Sequence, residues 1–136
     1  MAQQAYEYGP SQAAIDQLVT RFGDQVSLSS SVRERFGKDE SFHPSVPPDA
    51  VVTPNSTEEV SEIVTICARH HVPVIPYGTG TALEGHVGAL YGGVCINMME
   101  MNQVLEVHAE DLDVVVQPGI TRKQLNEYLR DSGLFF

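Results

Sequence analysis

An α+β fold, a mixed sheet with flanking helices, follows from two features of the 136-residue sequence. First, its apolar segments run strand, helix, strand, then three strand-length segments in close succession, then a helix and a last apolar stretch. The front of that order suits a right-handed β-α-β crossover with parallel strands. Second, the three later segments are joined by turns too short for a crossover, so they are expected to pair partly antiparallel. An apolar share of 42% is that of a folded globular chain. A chain of this length buries roughly two-thirds of the surface it exposes unfolded.

Each element has its own warrant. In SQAAIDQLVTRF (11–22), Ala14, Ile15, Leu18, Val19 and Phe22 fall at helical spacing, with Ser11 as the N-cap and Gly23 as the stop. A short second helix is expected from Ser29 to Gly37. Three prolines make KDESFHPSVPPD (38–49) a loop. The domain boundary is placed near Ser45: residues 1–45 form a helical preamble and 46–136 the main domain. AVVTP (50–54) is a β-branched strand closed by Pro54. STEEVSEIVTICARHH (56–71) is a helix with Ser56 and Glu59 as a capping box. Glu58, Glu59 and Glu62 suit its positive end, and Arg69, His70 and His71 its negative end. Its apolar stripe reads Val60, Ile63, Val64, Cys67 and Ala68. VPVIPY (72–77), GVCINM (93–98), VLEVHA (104–109) and DVVVQP (113–118) are strands. TRKQLNEYLRDSG (121–133) is a helix boxed by Thr121 and Gln124 and stopped by Gly133, and LFF begins a further apolar segment.

A formal net charge of −10 argues against nucleic acid and against anionic membrane surfaces as partners. No apolar run approaches the roughly 20 residues of a membrane span. Cys67 and Cys95 stand outside any CxxC spacing and fit free thiols in a reducing compartment. MAQQAYEYGPSQ lacks a positive n-region, an apolar h-region and the arginines of a transit peptide. His70 and His71 are expected to end a helix in water, and His43 and His108 have no ligand-spaced partner. No metal ligand set and no catalytic residue is assigned.

One stretch asks for chemistry. In PYGTGTALEGHVG (76–88) glycine stands at 78, 80, 85 and 88, with no lysine or arginine. Gly80 and Gly85 have the glycine spacing of a Walker A loop, but His86 occupies the lysine position. Gly78 and Gly80 begin a dinucleotide fingerprint, but Leu83 takes the place of its third glycine. The remaining functional reading is a nest, in which backbone N–H groups from Gly78, Thr79, Gly80 and Thr81 converge on an anion. A flexible connection that holds nothing remains the alternative on composition alone.

VPVIPYGTGTALEG, together with GGVCINMMEMNQVLEVHAEDLDVVVQPGITRKQLNEYLRDSGLFF, resembles the flavin-binding domain of the vanillyl-alcohol-oxidase, or p-cresol-methylhydroxylase-type, flavoprotein family. The upstream RERFGKDES and PPDAVVTPNSTEEVSEIV fit as well, so the likeness covers about residues 31–136. Within the family it is similar to the branch of FAD-dependent D-lactate dehydrogenases. The resemblance implies the first, incomplete part of a vanillyl-alcohol-oxidase-type FAD-binding domain. It implies that the loop from Pro76 to Gly85 wraps the FAD pyrophosphate: Pro76 and Tyr77 lead in, Gly78, Thr79, Gly80 and Thr81 give N–H groups, and Leu83, Glu84 and Gly85 complete the turn. Pro118 and Gly119 resemble a second contact, before a capped helix. Non-covalent FAD is expected, with His86 standing where relatives often have glycine.

The activity so implied is oxidation of a D-2-hydroxy acid, D-lactate to pyruvate, by hydride transfer to the flavin, with electrons passed to a cytochrome or similar acceptor. The resemblance also implies a mitochondrial location, with the cytosol as the alternative where no transit peptide is visible. It places the catalytic base, the substrate clamp and any metal site beyond residue 136. The 136 residues alone are therefore expected to be an N-terminal portion without activity. The alternative is a non-catalytic chain that binds flavin weakly or serves as an interaction module.

Overall fold

Side-chain alternation decides which face each strand of the central sheet buries. The computed structural model describes residues 8–136, so the reading of the first seven residues lies outside it. Four strands form one sheet in the order β1-β2-β4-β3: β1 (Val26–Ser27), β2 (Ala50–Val52), β3 (Val74–Tyr77) and β4 (Val94–Asn97). β2, β4 and β3 run parallel and β1 joins antiparallel, so the sheet is mixed, as expected. β2 and β3 are parallel, as the crossover reading requires, but they are not neighbours. β4 lies between them, with Cys95 beside both Val51 and Ile75. The reason is chemical. Val94, Cys95 and Ile96 are apolar on both faces and suit a central strand. Pro76 lacks an N–H and belongs on an edge.

Ala50, Val52, Val94 and Ile96 point to one face, where they meet Ala14, Ile15, Leu18 and Phe22 of α1 (Gln12–Phe22) and Ile63, Ile66 and Cys67 of α3 (Thr57–Arg69). Val51, Ile75, Tyr77 and Cys95 point to the other, against Phe36 of α2 (Ser30–Phe36) and the loop residues Val87 and Ala89. Full burial of each large aliphatic side chain stabilises by about 1.5–3 kcal/mol. Packing runs across the boundary expected near Ser45, because α1 and β1 share the first of these cores with β2 and α3.

Helix ends follow the sequence with two corrections. Gly23 stops α1 at φ +50°, but Ser11 does not cap it: its hydroxyl donates to the Asp49 carboxylate instead. At α3 the Ser56 hydroxyl accepts the Glu59 N–H at 3.2 Å, whereas the Glu59 carboxylate turns to the Asn55 N–H at 2.7 Å and Gln25 Nε2 at 2.9 Å. Only half of the expected box forms, since Glu59 finds donors outside it. The stripe of α3 is also rotated: Ile66 is buried, while Val64 and Ala68 are exposed. α4 (Arg122–Leu129) carries its full capping box, with Thr121 N–H to Gln124 Oε1 at 2.9 Å and Gln124 N–H to Thr121 Oγ1 at 3.2 Å.

β5 (Val104–His108) and β6 (Asp113–Val116) form a separate antiparallel ribbon with an irregularity between Val104 and Glu106. Antiparallel pairing among the later strands is thus confined to this ribbon. Leu134–Phe136 does not extend a sheet. Its backbone is held by Asn126, whose Oδ1 accepts the Phe136 N–H at 2.7 Å. Among the described residues no helix is long and apolar enough to cross a membrane.

Candidate functional site

Parallel strands put the loops that follow them at one end of the sheet, and ligands in open sheets bind beyond such carboxyl ends. Here the Met98 N–H donates to the Tyr77 carbonyl at 2.9 Å and Asn97 Nδ2 to Thr53 Oγ1 at 3.1 Å, so the ends of β2, β3 and β4 are tied together. The glycine segment leaves β3 at this end. Its residues Gly78, Thr79, Gly80, Thr81 and Ala82 line, with His86 and Val87, a cavity of about 290 Å³. Among the described residues no acceptor takes the N–H of Gly78, Thr79, Gly80 or Thr81. Four backbone donors beside a concavity form a surface that attracts an anion.

Two glycines are required by the backbone. Gly80 has φ +72°, and a Cβ there would collide with the Tyr77 hydroxyl. Gly85 has φ +75°, and a Cβ there would fall 3.0 Å from Cγ of His43 and nearer still to its Cδ2. Tyr77 is buried, its phenol donates to the Lys38 carbonyl at 3.3 Å, and burial raises its pKa. The Thr79 and Thr81 hydroxyls share a hydrogen bond at 3.2 Å. Pro76 is exposed on the edge strand, and Leu83 and Glu84 are exposed outside the cavity lining. Pro118 and Gly119 come to the same end of the sheet, because the Gly119 N–H donates to the Met101 carbonyl at 2.8 Å just beyond β4. That N–H is therefore spent within the fold, and a Cβ at Gly119 would collide with the Met98 carbonyl oxygen. Gly119 thus acts as a close-packing residue.

Three residues of the cavity wall, Ala82, His86 and Val87, were not assigned from the sequence. His86 had a signal, since it stands at the lysine position of a Walker-like spacing. The segment behind the loop had none. Lys38 to His43 lies against it through Tyr77 and Lys38, through the Glu40 N–H to the Ala82 carbonyl at 3.1 Å, and through His43 against Gly85. The Asp39 carboxyl is held below the usual carboxylate range, first by the Ser41 hydroxyl and then by the Ser41 N–H, with Gly85 N–H and the His86 charge adding to it. Its Oδ2 is buried without a hydrogen-bond partner.

Elsewhere, a larger groove of about 620 Å³ runs between α1 and α3, crossed by the Arg21–Glu62 ion pair at 2.8 Å. It lies on the helical face, away from the strand ends. His108 has partners the sequence did not indicate: its Nδ1 lies 2.5 Å from Asp113 Oδ1 across the ribbon and its Nε2 3.0 Å from Glu106 Oε2. Alternation along β5 and the short turn to β6 bring the three together. Cys67 and Cys95 are free and buried, and burial pushes their thiols up to about 11 and about 12.

The fold thus places, at the carboxyl ends of its parallel strands, a glycine loop whose N–H groups meet no acceptor among the described residues. The family model described as FAD binding domain matches residues 48–136, and the chain belongs to that family. The chain is 55% identical over 129 residues to a Danio rerio protein named "Probable D-lactate dehydrogenase, mitochondrial", covering 91% of this chain and 26% of that protein. It is 48% identical over 124 residues to an Arabidopsis thaliana protein named "D-lactate dehydrogenase [cytochrome], mitochondrial", covering 90% of this chain and 22% of that protein. The crystal structure of p-cresol methylhydroxylase with substrate bound superposes with a TM-score of 0.74 at 23% identity, covering 90% of this chain and 25% of that one, a likeness of fold. The chain thus spans about a quarter of the length of the curated relatives it matches. The family read from the glycine loop and its flanking segments holds, as does the α+β class read from the order of the elements.

Proposed function

We propose that this chain builds the phosphate-holding part of the FAD site of a dehydrogenase that oxidises a D-2-hydroxy acid, D-lactate to pyruvate, and passes the electrons to a cytochrome or similar acceptor. The observation that carries the reading is the set of unpaired N–H groups from Gly78 to Thr81 around a cavity at the carboxyl ends of the parallel strands. The residues fit a diphosphate: glycines and threonines make up most of the wall, and Gly80 permits the positive φ that the loop takes there. The cavity is small for a whole dinucleotide and suits its phosphates. Pro76, Tyr77, Leu83, Glu84 and Gly85 shape the loop, and Pro118 and Gly119 hold the neighbouring turn against β4. We assign residues 46–136 to this flavin domain and 1–45 to a preamble.

Bound FAD would supply the two-electron acceptor, held without a covalent bond. The chain's own residues bind and orient it. The relatives' names support a 2-hydroxy acid substrate, a cytochrome acceptor and a mitochondrial location. Oxidation of the alcohol also needs a base for the hydroxyl proton and a cation for the substrate carboxylate. The described arginines do not gather into such a carboxylate clamp. Arg21 pairs with Glu62, Arg33 donates to the Pro48 carbonyl and Arg130 pairs with Asp131. That scatter favours a second reading, a flavin-binding module that does not itself turn over substrate. Anaerobic addition of D-lactate or L-lactate to the purified yellow protein separates the two. Bleaching of the flavin by D-lactate alone, with cytochrome c reduced on mixing, is expected for the dehydrogenase. A flavin spectrum that D-lactate leaves unchanged supports the module, and a protein that takes up no flavin overturns both.

A further inference from the structure

Tyr8, Gly9, Pro10 and Ser11 lie at the amino-terminal ends of the parallel strands, opposite the glycine loop, and three of them are tied to segments far along the chain. The Tyr8 ring stacks on Tyr91 with centroids 4.9 Å apart. The Gly9 N–H donates to the His71 carbonyl at 2.9 Å, and a Cβ at Gly9 would collide with the His70 carbonyl oxygen. The Ser11 hydroxyl donates to the Asp49 carboxylate, whose Oδ2 also accepts the Gly93 N–H at 2.7 Å. Asp49, His71 and Gly93 stand just before β2, β3 and β4. We propose that Tyr8–Ser11 is a strap that closes this end of the sheet and sets the downstream limit of proteolytic processing at the N-terminus. Trimming stops at or before Tyr8, and a cut within the strap unlatches the entries to the three strands.

A protease needs its target bond freed from the fold, so cleavage reports local opening. Opening the strap breaks the Gly9 hydrogen bond and the Tyr8 stack, and it leaves the half-buried Asp49 carboxylate with one donor fewer. The disturbance does not end there. The Ser11 carbonyl accepts the Ile15 N–H at 2.9 Å, so the strap runs straight into the first turn of α1, where Ala14, Ile15 and Leu18 are buried against the sheet. Pro10 adds stiffness, and because it has no N–H it leaves no donor unpaired in the strap. Close packing at Gly9 has the same meaning: a linker has no need of a position where only glycine fits. In a protein imported into an organelle, removal of any leader therefore ends at or before Tyr8. That last step rests on the mitochondrial location given above, and the strap itself does not.

Subtilisin digestion of the native chain, with N-terminal sequencing of the resistant core over time, tests the strap. The wild-type core is expected to begin at or before Tyr8. Gly9→Ala sets a methyl group against the His70 carbonyl, and Ser11→Ala removes the donor to Asp49. Both are expected to be cut within residues 8–11 about fivefold to tenfold faster, the value of roughly one lost hydrogen bond, with the far-ultraviolet circular dichroism unchanged. Using two variants keeps the test open if one of them fails to fold. A wild-type core that begins at Gln12 or later overturns the inference, as do equal cutting rates in wild type and both variants. The processing limit is read separately, by sequencing the N-terminus of the protein recovered from mitochondria, which is expected at or before Tyr8. A mature protein that starts between Gly9 and Gln12 overturns the limit. A protein absent from mitochondria overturns the location reading instead and leaves the digestion result standing.

Discussion

Replacing Gly80 by valine tests the backbone argument directly, because two costs can be separated. At φ +72° a side chain is strained, and a left-handed conformation costs a non-glycine residue roughly 1–2 kcal/mol, more when β-branched. The added Cβ would also collide with the Tyr77 hydroxyl and fall 2.7 Å from its Cζ. The buried phenol must then shift and give up its bond to the Lys38 carbonyl, a further loss of about 1 kcal/mol. Together these come to about 2–3 kcal/mol against the loop conformation that exposes its N–H groups. The loop can relax by moving off β3, so the cost should fall on ligand affinity more than on global stability. FAD affinity is expected to drop about a hundredfold, equivalent to about 2.7 kcal/mol, while the urea midpoint moves little. Tyr77→Phe in the same background should recover only part of the loss, since the ring carbon remains too close. Titration of the flavin-stripped variants by fluorescence quenching measures both. Unchanged affinity in Gly80→Val would refute the reasoning, as would full rescue by Tyr77→Phe, which would leave no role for strain.

Three further outcomes are expected. Thr121→Ala removes the hydroxyl that accepts the Gln124 N–H and should cost about 1 kcal/mol in urea unfolding; a change below the error of that measurement would show that α4 does not need its box. The Cys67 and Cys95 thiols, pushed up to about 11 and about 12 by burial, should resist maleimide at pH 8 and react only after denaturation, so rapid labelling of the native protein would contradict their burial. His108 is raised mainly by its hydrogen bond to Asp113 and then by Glu106, so its contribution to the β5–β6 ribbon is full below the unfolded histidine value of about 6.5 and is lost as pH rises through the higher folded value; an NMR titration of the ring that gives a midpoint at or below that of a free histidine would reverse the sign.

Periodicity and punctuation made most of the framework legible. Gly23, the Thr121–Gln124 box and the proline-bracketed VIPY each carried a local signal that the structure honours. What escaped depends on pairing between distant residues. Val26–Ser27 is too short for a pattern and becomes a strand only because Val52 and Val51 stand beside it. Ser11 has the chemistry of a cap but meets the Asp49 carboxylate, and Glu59 has the chemistry of a capping box but meets Gln25. The glycine loop was visible in the sequence. Its backing by Lys38, Asp39 and His43 was not, because nothing along the chain marks a segment that packs behind a loop so far away. Gly119 shows the same limit: its glycine was noticed, but the Met98 and Met101 carbonyls that demand it are set by the end of β4.

The strand order bears on how the chain is made as well as on what it binds. β4 sits between β2 and β3, so neither of the earlier strands has its parallel partner until residue 97 has left the ribosome. Until then Ala50–Val52 and Val74–Tyr77 can only flank an empty slot two inter-strand spacings wide, roughly 10 Å. Synthesis from Ala50 to Asn97 takes about 2–10 s at roughly 5–20 residues per second. From Tyr77 onward the nascent chain carries two apolar strands whose edges toward β4 are unpaired, with β1 on the far edge of β2, α1 and α3 on one face and α2 on the other. A holdase bound during those seconds, or slow codons placed after Asn97 rather than before it, would therefore improve the yield of folded protein. Pauses introduced between Tyr77 and Val94 would lower it.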